Sequence, residues 1–118
     1  MRACALSNFR AVAVVALLIL AATTSAADKK AASPGNHQIV IDNFAFSPRT
    51  LTVSVGARVT WINRDDVPHT ATAKGKPRAF QSGTLDTDGQ YSFVFKQPGT
   101  YDYFCAVHPH MTGKIIVK

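Results

Sequence analysis

Apolar and polar positions alternate with a period of two along most of the chain beyond its first third, the pattern of strands half-buried against a core. Ile39-Val40-Ile41, within residues 38–42, predicts a first strand, and Phe44, Phe46 and Pro48 mark an irregular crossing after it. From 50 to 55 the alternation puts Leu51, Val53 and Val55 on one face and Thr50, Thr52 and Ser54 on the other. Gly56 permits a turn, and residues 58–63 then oppose Val59 and Trp61 to Thr60 and Ile62, with the lone Trp61 reading as core. After an Asp88-Gly89 turn, Tyr91, Phe93 and Phe95 alternate with Ser92, Val94 and Lys96; Gln97-Pro98-Gly99 leads into an aromatic run ending at Cys105, and Ile115-Ile116-Val117 closes the chain. No stretch beyond residue 28 has convincing helical periodicity. Short strands with frequent turn signals predict an all-β fold, a Greek-key antiparallel β-sandwich.

The N-terminal third follows a different pattern. Arg2 and Arg10 precede an apolar run over 11–22, and Thr23-Thr24-Ser25-Ala26-Ala27 supplies small residues, so residues 1–27 read as a cleaved secretory signal. The run is shorter than the about twenty residues that a membrane span needs. No Arg-Arg pair precedes it, which favours export of the unfolded chain, with the periplasm as destination. Residues 28–36, with Lys29, Lys30, Ser33, Pro34 and Gly35, read as a flexible lead-in, and 37–118 as one domain.

Charge and cysteine content narrow the function. The 118 residues carry 13 Lys and Arg against 7 acidic residues, all of them Asp. Loss of Arg2 and Arg10 leaves eleven against seven, a net charge of about +4 on the mature chain. The basic residues are scattered without repeated aromatic-basic pattern, which argues against nucleic acid, while an acidic protein partner or a membrane surface stays open. Lys74-Gly75-Lys76-Pro77-Arg78 reads as a surface loop, with a docking patch as the alternative. Of the 2 cysteines, Cys4 leaves with the signal, so Cys105 has no disulfide partner and its thiol needs an explanation.

A metal site supplies one. Cys105-Ala106-Val107-His108-Pro109-His110-Met111 places a thiolate, two imidazoles and a thioether where a strand runs into a tight loop, a mixture of donors that suits copper. Pro68-His69 is the obvious source of a further ligand; His37, close to the mature start, is a poorer one. Taken singly, a strand Cys is most often a small buried hydrophobe and a Met gap filler. Asp65 and Asp66 read as solvated turn residues without chemistry. Structural zinc on His69, Cys105, His108 and His110 is an alternative, whereas a Cys105–His108 nucleophile lacks a separate orienting acid.

The pattern Cys105-x-x-His108-x-x-Met111 with upstream His69 resembles the blue copper proteins, or cupredoxins, and the short spacing after the second His is most similar to amicyanin, within the plastocyanin-like group. Trp61-Ile62-Asn63-Arg64, Val67-Pro68-His69, Gly99-Thr100-Tyr101-Asp102-Tyr103 and Met111-x-Gly113-Lys114-Ile115 extend the resemblance over nearly the whole mature chain. His110 departs from it, standing where amicyanin carries an aromatic, and so does Thr70, where cupredoxins often have Asn. The resemblance implies one type 1 copper per chain, with His69, Cys105 and His108 in a plane and Met111 as a weak axial ligand. It also implies a backbone N–H from Thr70 near the Cys105 sulfur. Further implied are an electron port at the edge of His108, a monomer, and electron exchange with redox partner proteins, a dehydrogenase donor and a cytochrome acceptor, rather than enzymatic catalysis. A copper chaperone or store, with His108, Pro109 and His110 as an exchange site, is the alternative.

Overall fold

The predicted alternation is realised as eight strands, described in this computed structural model for residues 34–118. The expected signal segment with Cys4, and the lead-in up to residue 33, lie outside the described residues. In chain order the strands are β1 (Asn36–Asp42), β2 (Ala45–Ser47), β3 (Thr50–Val53), β4 (Arg58–Asn63), β5 (Thr72–Ala73), β6 (Gln90–Val94), β7 (Gly99–Phe104) and β8 (Thr112–Val117). They form two four-stranded sheets, ordered β2-β1-β4-β6 and β3-β8-β7-β5. The expected sandwich is present, with mixed pairing: β1 and β4 run parallel, as do β3 and β8, and the remaining pairs are antiparallel.

Most connections change sheet, because β2 leads to β3, β3 to β4, β4 to β5, β5 to β6 and β6 to β7 across the sandwich. Only β1–β2 and β7–β8 are neighbours within a sheet. The irregular crossing expected around Phe44 to Pro48 contains the short strand β2, whose Phe46 is buried. Strand β1 starts at Asn36, within the expected lead-in, since the Arg58 N–H donates to the Gly35 carbonyl at 3.1 Å and anchors the entering chain. Val55 departs from its predicted face: β3 ends at Val53 opposite Val117, where its partner β8 also ends, and the Val55 side chain is 42% exposed.

Ile39, Ile41, Val59 and Trp61 from one sheet meet Val53, Tyr103, Ile115 and Val117 from the other, with Phe80 and Phe95 between them, all buried. Burial of a large aliphatic or aromatic side chain of this kind contributes about 1.5–3 kcal/mol. Trp61 lies at the centre of the aromatic packing, 5.0 Å from the Phe80 ring and 5.5 Å from the Tyr103 ring between centroids. Next to Tyr103 only Gly113 fits, because a Cβ there would overlap the phenol ring. Burial pushes the Tyr103 phenol up to about 12; the Trp61 indole N–H eases that shift without reaching hydrogen-bond geometry. The strand ends that carry Asn63, Phe104 and Thr112 open onto one pole of the sandwich, where the chemistry is placed.

Candidate metal centre

Two connections meet at that pole. The first runs from β4 to β5 and carries His69 after Pro68, whose ring fixes its own backbone and biases Val67 toward extended geometry. His69 is bridged to Leu85, its N–H donating to the Leu85 carbonyl at 3.1 Å and its carbonyl accepting from the Leu85 N–H at 2.8 Å. Buried Asn63 braces this connection: its side-chain amide donates to the carbonyls of Val67 and Leu85, both at 2.8 Å, and its Oδ1 accepts the Asp65 N–H at 2.9 Å.

The second connection is the loop between β7 and β8. Cys105 follows the last residue of β7 and is fully buried. The loop is closed by the Cys105 N–H donating to the Met111 carbonyl at 3.0 Å and tightened by the Met111 N–H donating to the His108 carbonyl at 2.9 Å. His108 is half-buried, and Val107, Pro109 and His110 are exposed. A side-chain bond joins the two connections, since the Thr70 hydroxyl accepts from the Ala106 N–H at 2.7 Å.

The donors of three residues converge there. Cys105 Sγ lies 3.7 Å from His69 Nδ1 and 3.9 Å from His108 Nδ1, and the two Nδ1 atoms are 3.3 Å apart. Nitrogens about 2.0 Å and a sulfur about 2.3 Å from one centre, at trigonal angles, would stand about 3.5 to 3.8 Å from one another, so the spacing matches three ligands around one ion. His69, Cys105 and His108 are the one such cluster of potential ligands among the described residues. One soft sulfur and two imidazoles in a trigonal set fit copper. The Thr70 N–H donates to Cys105 Sγ at 3.3 Å, as the resemblance implied, and favours the thiolate.

Met111 is buried at the end of the same loop and belongs to the core cluster. His110 is exposed, with its ring centroid 6.5 Å from that of His108, and stands outside the converging set. His37 lies at the other end of β1 from Asp42, opposite Val59, away from the pole.

Asp65 overturns its reading as a solvated turn residue. Its carboxylate is buried and accepts three bonds: from the Asn43 N–H at 2.8 Å, the Phe44 N–H at 2.9 Å and His69 Nε2 at 2.7 Å. An acceptor at Nε2 fixes the tautomer in which Nδ1 offers its lone pair to the centre. The Phe44 N–H above all, with the His69 ring and the Asn43 N–H, holds the Asp65 carboxyl below the usual carboxylate range against the opposing effect of burial. Its four-residue spacing to His69 is the only trace of this in the sequence.

Phe44 is the other unforeseen neighbour. It follows Asn43 in the β1–β2 turn, and both adopt the left-handed backbone, with φ of 57° and 49°. An aromatic side chain rarely takes that conformation. The ring packs edge-on against His69, at 5.4 Å between centroids, and against His108, at 5.0 Å, while remaining 46% exposed.

Comparison with known proteins agrees with this geometry. A family model described as a cupredoxin-like domain matches residues 10–117. An amicyanin of Paracoccus denitrificans is 37% identical over 94 residues, 75% of this chain and 71% of its own. Amicyanin-alpha of Methylorubrum extorquens is 33% identical over 90 residues, covering 74% and 76%. Among solved structures, an oxidised amicyanin variant superposes with a TM-score of 0.67 at 34% identity over 71% of this chain and 83% of that one. A purple cupredoxin of Nitrosopumilus maritimus superposes at 0.65 and 33%, over 70% and 99%. A family match along most of its length, a superposable fold and a Cys-His-His convergence at one pole place the chain in the cupredoxin-like family, with amicyanins among its relatives.

Proposed function

We propose that this protein is an exported blue copper carrier of single electrons, working between redox proteins in the periplasm. The observation that carries this reading is the convergence of Cys105 Sγ, His69 Nδ1 and His108 Nδ1 within 4.8 Å of one another. Met111, buried at the end of the loop, would complete the set as a weak axial ligand. Copper held there would supply a one-electron Cu(II)/Cu(I) couple.

The protein's contribution is rigidity and access. Asp65 fixes one imidazole from behind, Thr70 stabilises the thiolate, and the Cys105–Met111 bond fixes the loop, so the donors keep one arrangement in both oxidation states. Pro109 has no N–H to offer the sulfur, which leaves Thr70 as its donor. His108 alone of the three is half-exposed, and its edge, against which the Phe44 ring packs beside the exposed Val107 and Pro109, is the route by which electrons enter and leave. By analogy with amicyanin, the partners would be a dehydrogenase donor and a cytochrome acceptor.

The test is the visible spectrum of mature protein after addition of Cu(II). An intense thiolate-to-copper band, bleached by one electron without loss of metal and missing in Cys105→Ser, is the expected result. A colourless protein that prefers zinc under equal supply would overturn the reading.

A further inference from the structure

The charges around the His108 port are segregated. Of the six acidic residues among those described, five (Asp42, Asp65, Asp66, Asp86 and Asp88) belong to the end of β1, the start of the β4–β5 connection and the turn before β6. These segments are tied together, the Thr87 hydroxyl donating to the Asp65 carbonyl at 2.6 Å and Arg64 pairing with Asp88 at 2.6 Å.

On the opposite flank a groove lined by Arg49, Lys74 and Lys114, with Thr112 in its floor, holds the sixth, Asp102. Beside it lies a hollow formed by Phe44, His110 and Met111, with Arg49 and Thr112 lining both. Asp102 neutralises little of the groove: its carboxylate stands 3.9 Å from Lys114, and both side chains are about half exposed. The Arg49 guanidinium is steadied by a neutral partner, donating to the Thr112 hydroxyl at 3.1 Å, and neither Arg49 nor Lys74 makes an ion pair among the described residues. Held but uncompensated cations beside an exposed apolar patch are suited to meeting carboxylates at the rim of a docked protein.

We propose that this face, with Phe44, Val107 and Pro109 as its apolar centre and Arg49, Lys74 and Lys114 as its basic flank, docks an acidic redox protein over His108. The proposal rests on the electron-carrier reading and names the class of partner. The acidic flank across the port gives the encounter a polarity: the partner's carboxylates settle toward Arg49, and its redox group comes to lie over His108. Partners with a basic rim are repelled from the groove.

The experiment uses one redox protein in two charge states, a basic c-type cytochrome and the same cytochrome with its lysines succinylated. Binding is followed by NMR shifts of the copper-free protein and electron transfer by stopped flow with the copper-loaded one. The succinylated form should bind at the groove and exchange electrons at least about tenfold faster at low salt, with the advantage lost as salt rises. Arg49→Glu, Lys74→Glu and Lys114→Glu together should remove that advantage and leave the visible spectrum unchanged. Arg58→Glu with Lys96→Glu, at the far end of the paired strands β4 and β6, should leave it in place.

Faster exchange with the basic cytochrome, or equal effects of the two sets of reversals, would overturn the proposal. So would capture of the groove by phosphatidylglycerol vesicles with no binding of the succinylated cytochrome, which would assign the face to a membrane surface. Binding at the groove by a protein whose copper cannot be reduced even by an uncharged quinol would refute the carrier reading alone.

Discussion

His69 Nε2 lies 2.7 Å from Asp65 Oδ2, and the same carboxylate takes the N–H groups of Asn43 and Phe44. One acidic side chain thus joins the β1–β2 turn to the imidazole that faces the centre. Asp65→Asn can satisfy only part of this set. It should lower copper affinity by about 10- to 100-fold, measured by competition with a chelator of known affinity.

The same contact predicts an acid sensitivity of the copper-free protein. A carboxyl whose pKa is lower in the folded than in the unfolded state contributes stability fully above its unfolded value, about 3.9, and loses it as pH falls through the folded value. Urea unfolding of the native protein should therefore show a decline below about pH 4 that is flatter in Asp65→Asn. Superimposable pH profiles would mean that Asp65 contributes equally to both states.

Met111 offers a thioether, which favours Cu(I) over Cu(II) more than an oxygen donor does. Met111→Gln should lower the reduction potential in voltammetry and alter the visible spectrum. If both stay unchanged, Met111 is filler at the end of the loop and not a ligand.

Phe44 sets conformational strain against packing. Its left-handed backbone costs about 1–2 kcal/mol, and its two edge contacts to imidazoles return about 0.5–1.5 kcal/mol each. Because these nearly cancel, Phe44→Gly should change unfolding free energy by no more than about 1 kcal/mol, while the NMR signals of His108 report a freer ring. A loss of several kcal/mol would show that the turn depends on the aromatic ring.

Tyr103 predicts behaviour in alkali. A phenol pushed up to about 12 contributes stability that is complete below the unfolded value of about 10 and is lost as pH rises toward the folded one. Absorbance at the phenolate band should show one of the 3 tyrosines ionising late, together with loss of the fold. Gly113→Ala, which forces a Cβ against this ring, should cost about 1–3 kcal/mol in the same unfolding assay.

The sequence exposed what is local. Alternation located the strands because each has one face toward the core, and Cys105, His108 and Met111 share one short loop with a recognisable spacing. His69 was legible through Pro68. Asp65 was misread because its partners include Asn43 and Phe44, more than twenty positions away, and nothing near Asp65 reveals that the β1–β2 turn points its N–H groups there. Val55 was misread because the end of β3 is set by the end of β8, which lies at the far end of the chain. The parallel pairings of β1 with β4 and β3 with β8 escaped for a related reason, since side-chain alternation is blind to strand direction.

The two connections that carry the converging donors differ in how they are moored. The Cys105–Met111 loop is a hairpin tip, closed on itself by its own backbone and joined to adjacent antiparallel strands, so it behaves as an exchangeable cartridge. His69 is its socket: it sits on a crossing between sheets and is bolted to Leu85, Asp65 and, through Asp65, the β1–β2 turn. Changes in length or composition between Cys105 and Met111 would retune the centre while leaving the sandwich intact. An insertion between Asn63 and Thr72 would displace His69 from the converging set and loosen the join between the sheets at once, so variation in the colour and potential of such a protein has its room in the hairpin tip.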